Sequence, residues 1–245
     1  MKLNVGCVTD KGNFRCKNQD SVICECMTVG DKVLAVACVC DGIGSFPQSE
    51  IASEMVSTGI LNWFDGVGRN FPRPINKADL ILDLEVTIQE LNELVYEYSE
   101  KTHIDIGCTM SLIFVYDSEY FIFHVGDSRI YCLQDRLFRL TQDEVVLKLI
   151  GGKEKTLLVN YVGKNRKLYI NMQQGMVYAG DVFIVGSDGL YKKLVYEDVK
   201  DLFIGISGNE EIQTICRRLV DLVKERNEKD NISCAVLQVV GKKYD

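Results

Sequence analysis

The sequence predicts an α+β fold in which two sheets pack face to face and helices cover their outer surfaces. Ten short runs rich in Val, Ile, Tyr and Phe have the character of strands, and only three longer segments show the apolar period of a helix. Strands and helices do not alternate along the chain, which disfavours a parallel sheet built from βαβ units. Most of the strand-like runs are apolar on both faces, as expected for sheets that are buried on both sides.

The predicted strands are short and are bounded by Gly, Asp and Asn. They lie at residues 3–9, 21–27, 33–40, 108–116, 120–126, 128–133, 136–140, 168–172, 181–186 and 232–240. The interval 41–107 contains no predicted strand, and two of the three predicted helices fall within it.

Each of the three predicted helices carries one apolar face. They lie at residues 49–64, 78–101 and 209–227, and the segment 65–76, DGVGRNFPRPIN, is predicted to be an irregular connection. The apolar faces consist of Ala52, Met55, Val56, Gly59, Ile60 and Trp63; of Leu84, Ile88, Leu91, Val95 and Tyr98; and of Ile212, Ile215, Leu219, Val220 and Val223.

Length and charge narrow the class of protein. The chain has 245 residues and a formal net charge of −7, and a β-rich chain of this length can form one large core. We therefore expect a single domain over residues 1–245. The sequence has no basic stripe of the kind that binds nucleic acid, and no apolar run long enough to cross a membrane. Because the N-terminus also lacks the apolar core of a signal peptide, we expect a cytoplasmic protein without a nucleic-acid or membrane partner.

Cysteine and histidine usage excludes several catalytic classes. Of the ten cysteines, eight lie in or beside predicted strands, where a free thiol packs as a small apolar group. Thiols in the cytosol stay reduced, so we expect no structural disulfide. No C-x-x-C pair indicates zinc, and no Cys is followed six positions later by the Arg of a cysteine-dependent phosphatase loop. His124, one of only two histidines, lies within a predicted strand and is expected to be a core residue.

Aspartates occur at the ends of several predicted strands. Asp20 and Asp230 come just before strands, whereas Asp41, Asp127 and Asp188 come just after them. Because the start of one antiparallel strand lies beside the end of its neighbour, these five carboxylates can gather at one rim. One Asp-Gly pair after a strand usually marks only a turn. Five carboxylates together would repel each other in a buried site, and a divalent cation such as Mg²⁺ or Mn²⁺ would relieve that repulsion.

Eight short motifs follow one another in the order found in a known family. They are FRCKNQDS, VCDGIGSFPQSEIAS, GCTMSLIFV, HVGDSRIYCL, LTQDE, NYVG, GDVFIVGSDGL and KDNISCAVL. Together they resemble the metal-dependent serine/threonine protein phosphatases, the PPM or type-2C family, nearly from end to end. The resemblance implies a four-layer αββα sandwich of two antiparallel sheets. It also implies hydrolysis of phosphoserine and phosphothreonine in proteins by a water that two Mn²⁺ or Mg²⁺ ions activate.

The resemblance also implies a role for each site residue. Asp41 would bridge the two ions, the carbonyl of Gly42 would complete one ion's site, and Asp188 and Asp230 would hold the other ion. Arg15 would bind the substrate phosphate through its planar guanidinium. Two further aspartates complete the set: Asp20 would act through a bound water, and Asp127 would share a weaker third ion with Asp188. The implied partners are phosphoprotein substrates and a cognate serine/threonine kinase, and a monomer is expected.

The sequence departs from the family pattern at several positions near the predicted site. Gln19 stands where many relatives have Glu, and Ile43 stands where some have a proposed histidine acid. Glu144 replaces a frequent His, and the segment 145–159 is short for the family's flap. Lys192 is expected on a solvated face and would reach substrate only if it lay near Asp188.

Two alternatives to this function stay open, the first of them because of Gln19 and the short flap. One is a pseudophosphatase, a fold kept to bind a partner. The other is a hydrolase of a small phosphorylated metabolite.

Overall fold

Two five-stranded antiparallel sheets form the centre of the protein in the computed structural model, which describes residues 1–70, 76–206 and 208–241. The first sheet has the strand order β1-β12-β11-β6-β7 and the second has the order β10-β5-β4-β3-β2. The first sheet comprises β1 (Lys2–Asp10), β12 (Ile232–Val240), β11 (Val182–Gly186), β6 (Arg129–Leu133) and β7 (Leu137–Arg139). The second comprises β10 (Asn171–Met176), β5 (Glu119–Val125), β4 (Met110–Tyr116), β3 (Lys32–Asp41) and β2 (Asp20–Val29).

Helices cover the outer faces of both sheets. The helices α1 (Ser49–Asn70) and α2 (Lys77–Thr102) lie on the second sheet, and α5 (Asn209–Glu225) lies on the first. The start of α2 is capped by Asn76, whose side chain accepts a hydrogen bond of 3.0 Å from the backbone N–H of Ala78. Two one-turn helices, α3 (Asp188–Tyr191) and α4 (Tyr196–Val199), follow β11.

The two sheets and the helices on either side of them form four structural layers, and three apolar layers lie between these. Strand β3 contributes side chains to two of the apolar layers. Its residues Ala35, Ala37 and Val39 face the first sheet and pack in the layer between the sheets. The alternating residues face the other way and pack against α1 and α2. Successive side chains of a strand point to opposite faces, so a strand that is buried on both sides needs apolar residues at every position. This confirms the predicted sandwich with helices outside.

The structure shifts several predicted boundaries. The first helix continues to Asn70, so half of the segment predicted to be irregular is helical, and residues 71–75 of it lie outside the described residues. The apolar face of α1 continues through Phe64 and Val67, which are both buried. The strand predicted at 168–172 begins later, at Asn171, and the third helix ends at Glu225.

The sequence interpretation missed a β-hairpin. It consists of β8 (Val145–Ile150) and β9 (Lys153–Leu158), which pair only with each other in the described part of the chain. Gly151 and Gly152 form its turn with φ values of 59° and 77°. A two-residue turn with positive φ at both positions suits a hairpin, and glycine adopts it without steric cost. We call this hairpin, residues 145–158, the flap.

All ten cysteines are free thiols in the structure, and only Cys16 is exposed. Within the described ranges, no helix combines the length and the apolarity that a membrane crossing requires.

Candidate metal centre

Two of the five aspartates face each other at the end of one strand pair. Asp20 begins β2 and Asp41 ends β3, and the two are directly paired in the ladder. The backbone N–H of Gly42 donates a hydrogen bond of 3.1 Å to the carbonyl of Gln19, which extends the pairing by one residue. A Cβ at Gly42 would lie 2.5 Å from that carbonyl oxygen, so only glycine allows this approach.

The backbone of Asp41 is fixed by Thr109, the residue just before β4. The Thr109 N–H donates to the Asp41 carbonyl at 2.8 Å, and the Asp41 N–H donates to the Thr109 hydroxyl at 3.1 Å. The same hydroxyl lies 2.7 Å from the hydroxyl of Ser128, the residue after Asp127. Thr109 therefore links the loops that carry Asp41 and Asp127.

The first sheet supplies Asp188 and Asp230 from adjacent loops. Asp188 opens α3 and is separated from β11 by Ser187, and Asp230 is separated from β12 by Asn231. Gly189 makes their close approach possible, because a Cβ there would lie 2.0 Å from the carbonyl oxygen of Asn231. The rim thus combines two aspartates from each sheet, as the strand-end argument predicts.

A cleft of about 820 Å³ opens at this rim. Asp41, Gly42, Asp127, Asp188 and Asp230 line one side, and flap residues line the other: Val145, Leu147, Thr156, Leu157 and Leu158. Asp20 is not part of the lining; it is buried beneath, where its carboxylate accepts a hydrogen bond of 2.8 Å from the Ser233 hydroxyl. At one end, the rings of Phe46 and Tyr161 meet edge to face with centroids 5.9 Å apart.

Burial and mutual repulsion make the ionised aspartates unfavourable. Burial raises the pKa of Asp20 to about 7 and that of Asp127 to about 6, and the neighbouring Asp188 contributes to both shifts. Burial, followed by repulsion from nearby carboxylates, also raises the pKa of Asp41 well above its usual value, and burial raises the pKa of Asp188. Such a group of carboxylates is stabilised in its ionised form only by nearby positive charge.

Two side-chain cations already contact the cluster. Arg15 binds Asp230 through two parallel hydrogen bonds, from Nε to Oδ1 and from Nη2 to Oδ2, each of 2.9 Å. Lys192 donates from Nζ to Oδ2 of Asp188. As the side chains stand, no three Asp, Glu, His or Cys residues in the described ranges converge closely enough to hold an ion.

One atom nevertheless indicates that a cation fits here. Oδ1 of Asp188 is buried and accepts no hydrogen bond. An unpartnered buried carboxylate oxygen is costly, and a divalent cation would offset that cost. The donor set is entirely oxygen, the kind that Mg²⁺ and Mn²⁺ prefer. The residues present therefore fit the ions that the resemblance implies.

The structure gives contacts for two of the departures from the family pattern, Gln19 and Glu144. Gln19 turns away from the cluster and donates to the Phe46 carbonyl at 3.2 Å. Glu144 anchors the loop before Asp127, because its Oε2 accepts from the N–H of Gly126 at 2.8 Å. Ile43 offers no titratable group to the cleft.

His124 is a core residue, as predicted. It is 1% exposed, and its ring nitrogens lie 2.9 Å from the Ser111 hydroxyl and 3.0 Å from the Gln142 carbonyl. Burial lowers the pKa of its imidazole.

Sequence reasoning missed an ion pair in the cleft wall. Arg129 donates to both carboxylate oxygens of Asp143, at 3.0 and 2.7 Å, and its guanidinium lies 3.7 Å from the ring centroid of Tyr191. Arg129 belongs to the GDSR motif and Asp143 to the LTQD motif, so both residues could be found in the sequence. Their contact could not be predicted, because it depends on how the fold brings the two segments together. The pair fixes the strand that follows Asp127.

Comparisons with known proteins agree with this arrangement. A sequence model of the family described as "Protein phosphatase 2C" matches residues 15–224. Protein phosphatase PhpP of Streptococcus pneumoniae serotype 2 is 22% identical over 256 residues, which cover 97% of this chain and 98% of PhpP. Serine/threonine protein phosphatase PstP of Mycobacterium tuberculosis is 23% identical over 252 residues, which cover 96% of this chain and 45% of PstP.

Solved structures share the fold. Serine/threonine phosphatase Stp1 from Staphylococcus aureus superimposes with a TM-score of 0.81 at 20% identity, covering 98% of this chain and 96% of that one. The catalytic domain of PstP, crystallised in complex with two manganese ions, superimposes with a TM-score of 0.75 at 23% identity, covering 98% and 99% of the two chains.

Proposed function

The chain belongs to the protein phosphatase 2C family, whose relatives here include protein phosphatase PhpP and serine/threonine protein phosphatase PstP, and from this premise we propose its reaction. The protein hydrolyses phosphoserine and phosphothreonine in other proteins, and its activity depends on two bound Mn²⁺ or Mg²⁺ ions. The observation that carries this proposal is the gathering of four strand-end aspartates from two sheets around one cleft, with Oδ1 of Asp188 buried and without a partner.

Four aspartates and one backbone carbonyl would hold the two ions. Asp41, the carbonyl of Gly42, Asp188 and Asp230 would provide direct oxygen ligands, and Asp20 would act from beneath. When bound, the ions lower the pKa of water to near neutrality and neutralise the charge that develops on the phosphoryl group. Thr109 keeps Asp41 in place through two backbone hydrogen bonds.

Arg15 is the group that would bind the substrate phosphate. Its guanidinium lies against Gly44 at the cleft, with Nη2 3.3 Å from where a Cβ of that glycine would be. It is 41% exposed, so it can move from Asp230 to an incoming phosphate. Its planar fork fits two phosphate oxygens as well as it fits the two oxygens of Asp230.

Two partner assignments follow from the proposed reaction. The substrates would be phosphoproteins, and a serine/threonine kinase would supply them. The expected cytoplasmic location and monomeric state belong to the same proposal.

Phosphate release measures the reaction directly. We expect hydrolysis of p-nitrophenyl phosphate and of a phosphothreonine peptide with Mn²⁺, and none in excess EDTA. Full turnover by the desalted protein in EDTA would contradict the metal-dependent reaction. Binding of the phosphopeptide without turnover in Mn²⁺ would support the pseudophosphatase alternative, and turnover of sugar phosphates but not of the peptide would support the metabolite hydrolase.

A further inference from the structure

Lys192 holds a fixed position beside the aspartate cluster. It follows Asp188 by four residues across the single turn of α3, and its backbone N–H donates to the Asp188 carbonyl at 3.1 Å. This spacing places the two side chains on the same side of the turn. The Lys192 side chain is half exposed and lines the cleft, and its Nζ donates to Oδ2 of Asp188.

The two oxygens of Asp188 therefore differ. Oδ2 already has a positive partner, whereas Oδ1 is buried and has none. Asp188 can offer Oδ1 to one divalent cation without losing Lys192. It cannot offer Oδ2 to another cation unless the ammonium leaves.

Asp127 lines the same cleft as Asp188 and Lys192. The ammonium of Lys192 interacts electrostatically with Asp127 as well as with Asp188, Asp230 and Asp41. Arg129, two residues after Asp127, is held by Asp143 and stacked on Tyr191. Within the described ranges, Lys192 is thus a cation that hydrogen-bonds Asp188 and also acts electrostatically on Asp127.

We propose that the ammonium of Lys192 occupies the place of a third divalent cation between Asp127 and Asp188, so that the centre binds two ions. This inference rests on the proposed function and departs from the expectation that these two aspartates share a weak third ion. A tethered group has an effective concentration of millimolar order or more. A third ion of only millimolar affinity would have to displace that group and would also be repelled by its charge.

The number of bound ions tests the inference. We would measure Mn²⁺ bound at equilibrium by dialysis and metal analysis up to millimolar free ion, for wild type, Lys192→Met and the control Lys193→Met. Methionine has an unbranched side chain close to lysine in length but carries no charge. Lys193 is exposed at the neighbouring position, so its substitution is the matched control. We expect two ions for wild type and for Lys193→Met. For Lys192→Met we expect a third ion, with an affinity at least roughly tenfold tighter than any third site in wild type.

A double variant tests whether the third ion is held by Asp127. In Lys192→Met combined with Asp127→Asn, the third ion should be lost again, because one of its two carboxylates is gone. Thermal melting in EDTA would verify that each variant folds.

Three results would overturn the inference. Three ions in the wild type, two ions in Lys192→Met, or a third ion that persists without Asp127 would each do so, while two bound ions with phosphatase activity would leave the proposed function standing. No bound ion in any folded variant would overturn both.

Discussion

Arg15 and Asp188 are both charged residues of one cleft, yet removing them should damage different kinetic constants. Arg15 would contact the phosphate, which carries its charge before and during the reaction. Asp188 would hold an ion on which the reaction itself depends. The difference can be measured because a residue that binds the ground state and the transition state equally affects KM, whereas loss of a transition-state interaction affects kcat.

For Arg15→Ala we expect a higher KM and a kcat/KM reduced about ten- to a hundred-fold, the cost of one charge-assisted contact. Steady-state kinetics on a phosphothreonine peptide would measure it. Mn²⁺ affinity, measured by calorimetry, should not weaken, because Arg15 competes for both oxygens of Asp230. Lys17→Ala is the control, since Lys17 pairs with Glu50 and is 64% exposed. An unchanged KM for Arg15→Ala would show that it does not bind the phosphate.

For Asp188→Asn we expect kcat to collapse and Mn²⁺ affinity to fall. The amide keeps the shape of the side chain but loses the charge that a divalent ion requires. Kinetics with saturating Mn²⁺ and metal titration by calorimetry would measure both effects. Asp201→Asn serves as the control, because Asp201 lines a separate cavity beside α4 and α5. If Asp188→Asn kept the wild-type kcat and metal affinity, Asp188 would not hold an ion, and the SDG segment would be only a turn.

At the scale of elements, the flap gives the cleft an apolar wall. Leu147 lines the cleft although its side chain is 69% exposed, and it is paired with Thr156 across the hairpin. Leu149 is 74% exposed but is not part of the lining. A substrate residue next to the phosphorylated side chain would therefore cover Leu147, and an apolar residue would gain most from doing so.

We therefore expect Leu147→Asp to raise KM about tenfold for a phosphopeptide with Leu beside the phosphothreonine, the order of effect that loss of one buried leucine contact gives. KM for p-nitrophenyl phosphate should hardly change, because that substrate has no flanking residue. Leu149→Asp is the matched control. Equal effects of the two substitutions on the peptide would argue against a contact at Leu147.

The flap and α3 are two elements that the sequence analysis did not predict, for different reasons. The strands with long apolar runs were predicted because burial on both faces imposes a continuous pattern. In the flap, β8 (VVLKLI) is apolar at five of six positions, but β9 begins with the four polar residues KEKT, so only one of the two strands has an apolar run and only Gly151-Gly152 marked the turn. A helix of one turn, such as α3, is too short to show a helical period of apolar residues. From sequence we could therefore say only that Lys192 would reach substrate if it lay near Asp188.

At the scale of the whole molecule, the aspartate cluster predicts an unusual dependence of stability on pH. The pKa values of Asp20 and Asp127 are raised in the folded protein, to about 7 and about 6, because burial disfavours their charged forms. The folded state then holds more protons than the unfolded state between pH 4 and these values. Stability from this source is complete below the ordinary pKa of aspartate and is lost as the pH rises through 6 and 7.

We expect the free energy of unfolding of the metal-free protein to fall by on the order of 2–4 kcal/mol from pH 5 to pH 8. Denaturant unfolding in EDTA would measure it, and Asp20→Asn should reduce the slope because it removes one of the titrating groups. Saturating Mn²⁺ should oppose the fall, since the ion binds the ionised carboxylates of the folded state. Stability that rises with pH in EDTA would contradict the raised pKa values.

The site itself was predictable only in part. The five aspartates were found from sequence because each stands at the edge of an apolar run. The partner of Arg15 was not, because Asp230 lies 215 residues away along the chain. Local pattern shows which residues end strands, whereas contacts between distant loops depend on how the two sheets are stacked.

The pairing of β1 with β12 has a consequence for synthesis of the protein. β1 pairs along its whole length with β12 and with no other strand in the described ranges, from Lys2 with Val240 to Asp10 with Ile232. A ribosome adding about 5–20 residues per second needs roughly ten to forty seconds to make the chain between them. During that time the nascent chain exposes the unpaired edge and apolar residues of β1, which invites aggregation or chaperone binding. The aspartates cannot gather until Asp230 has emerged, so the first sheet and the ion site are completed together, once β12 has been synthesised.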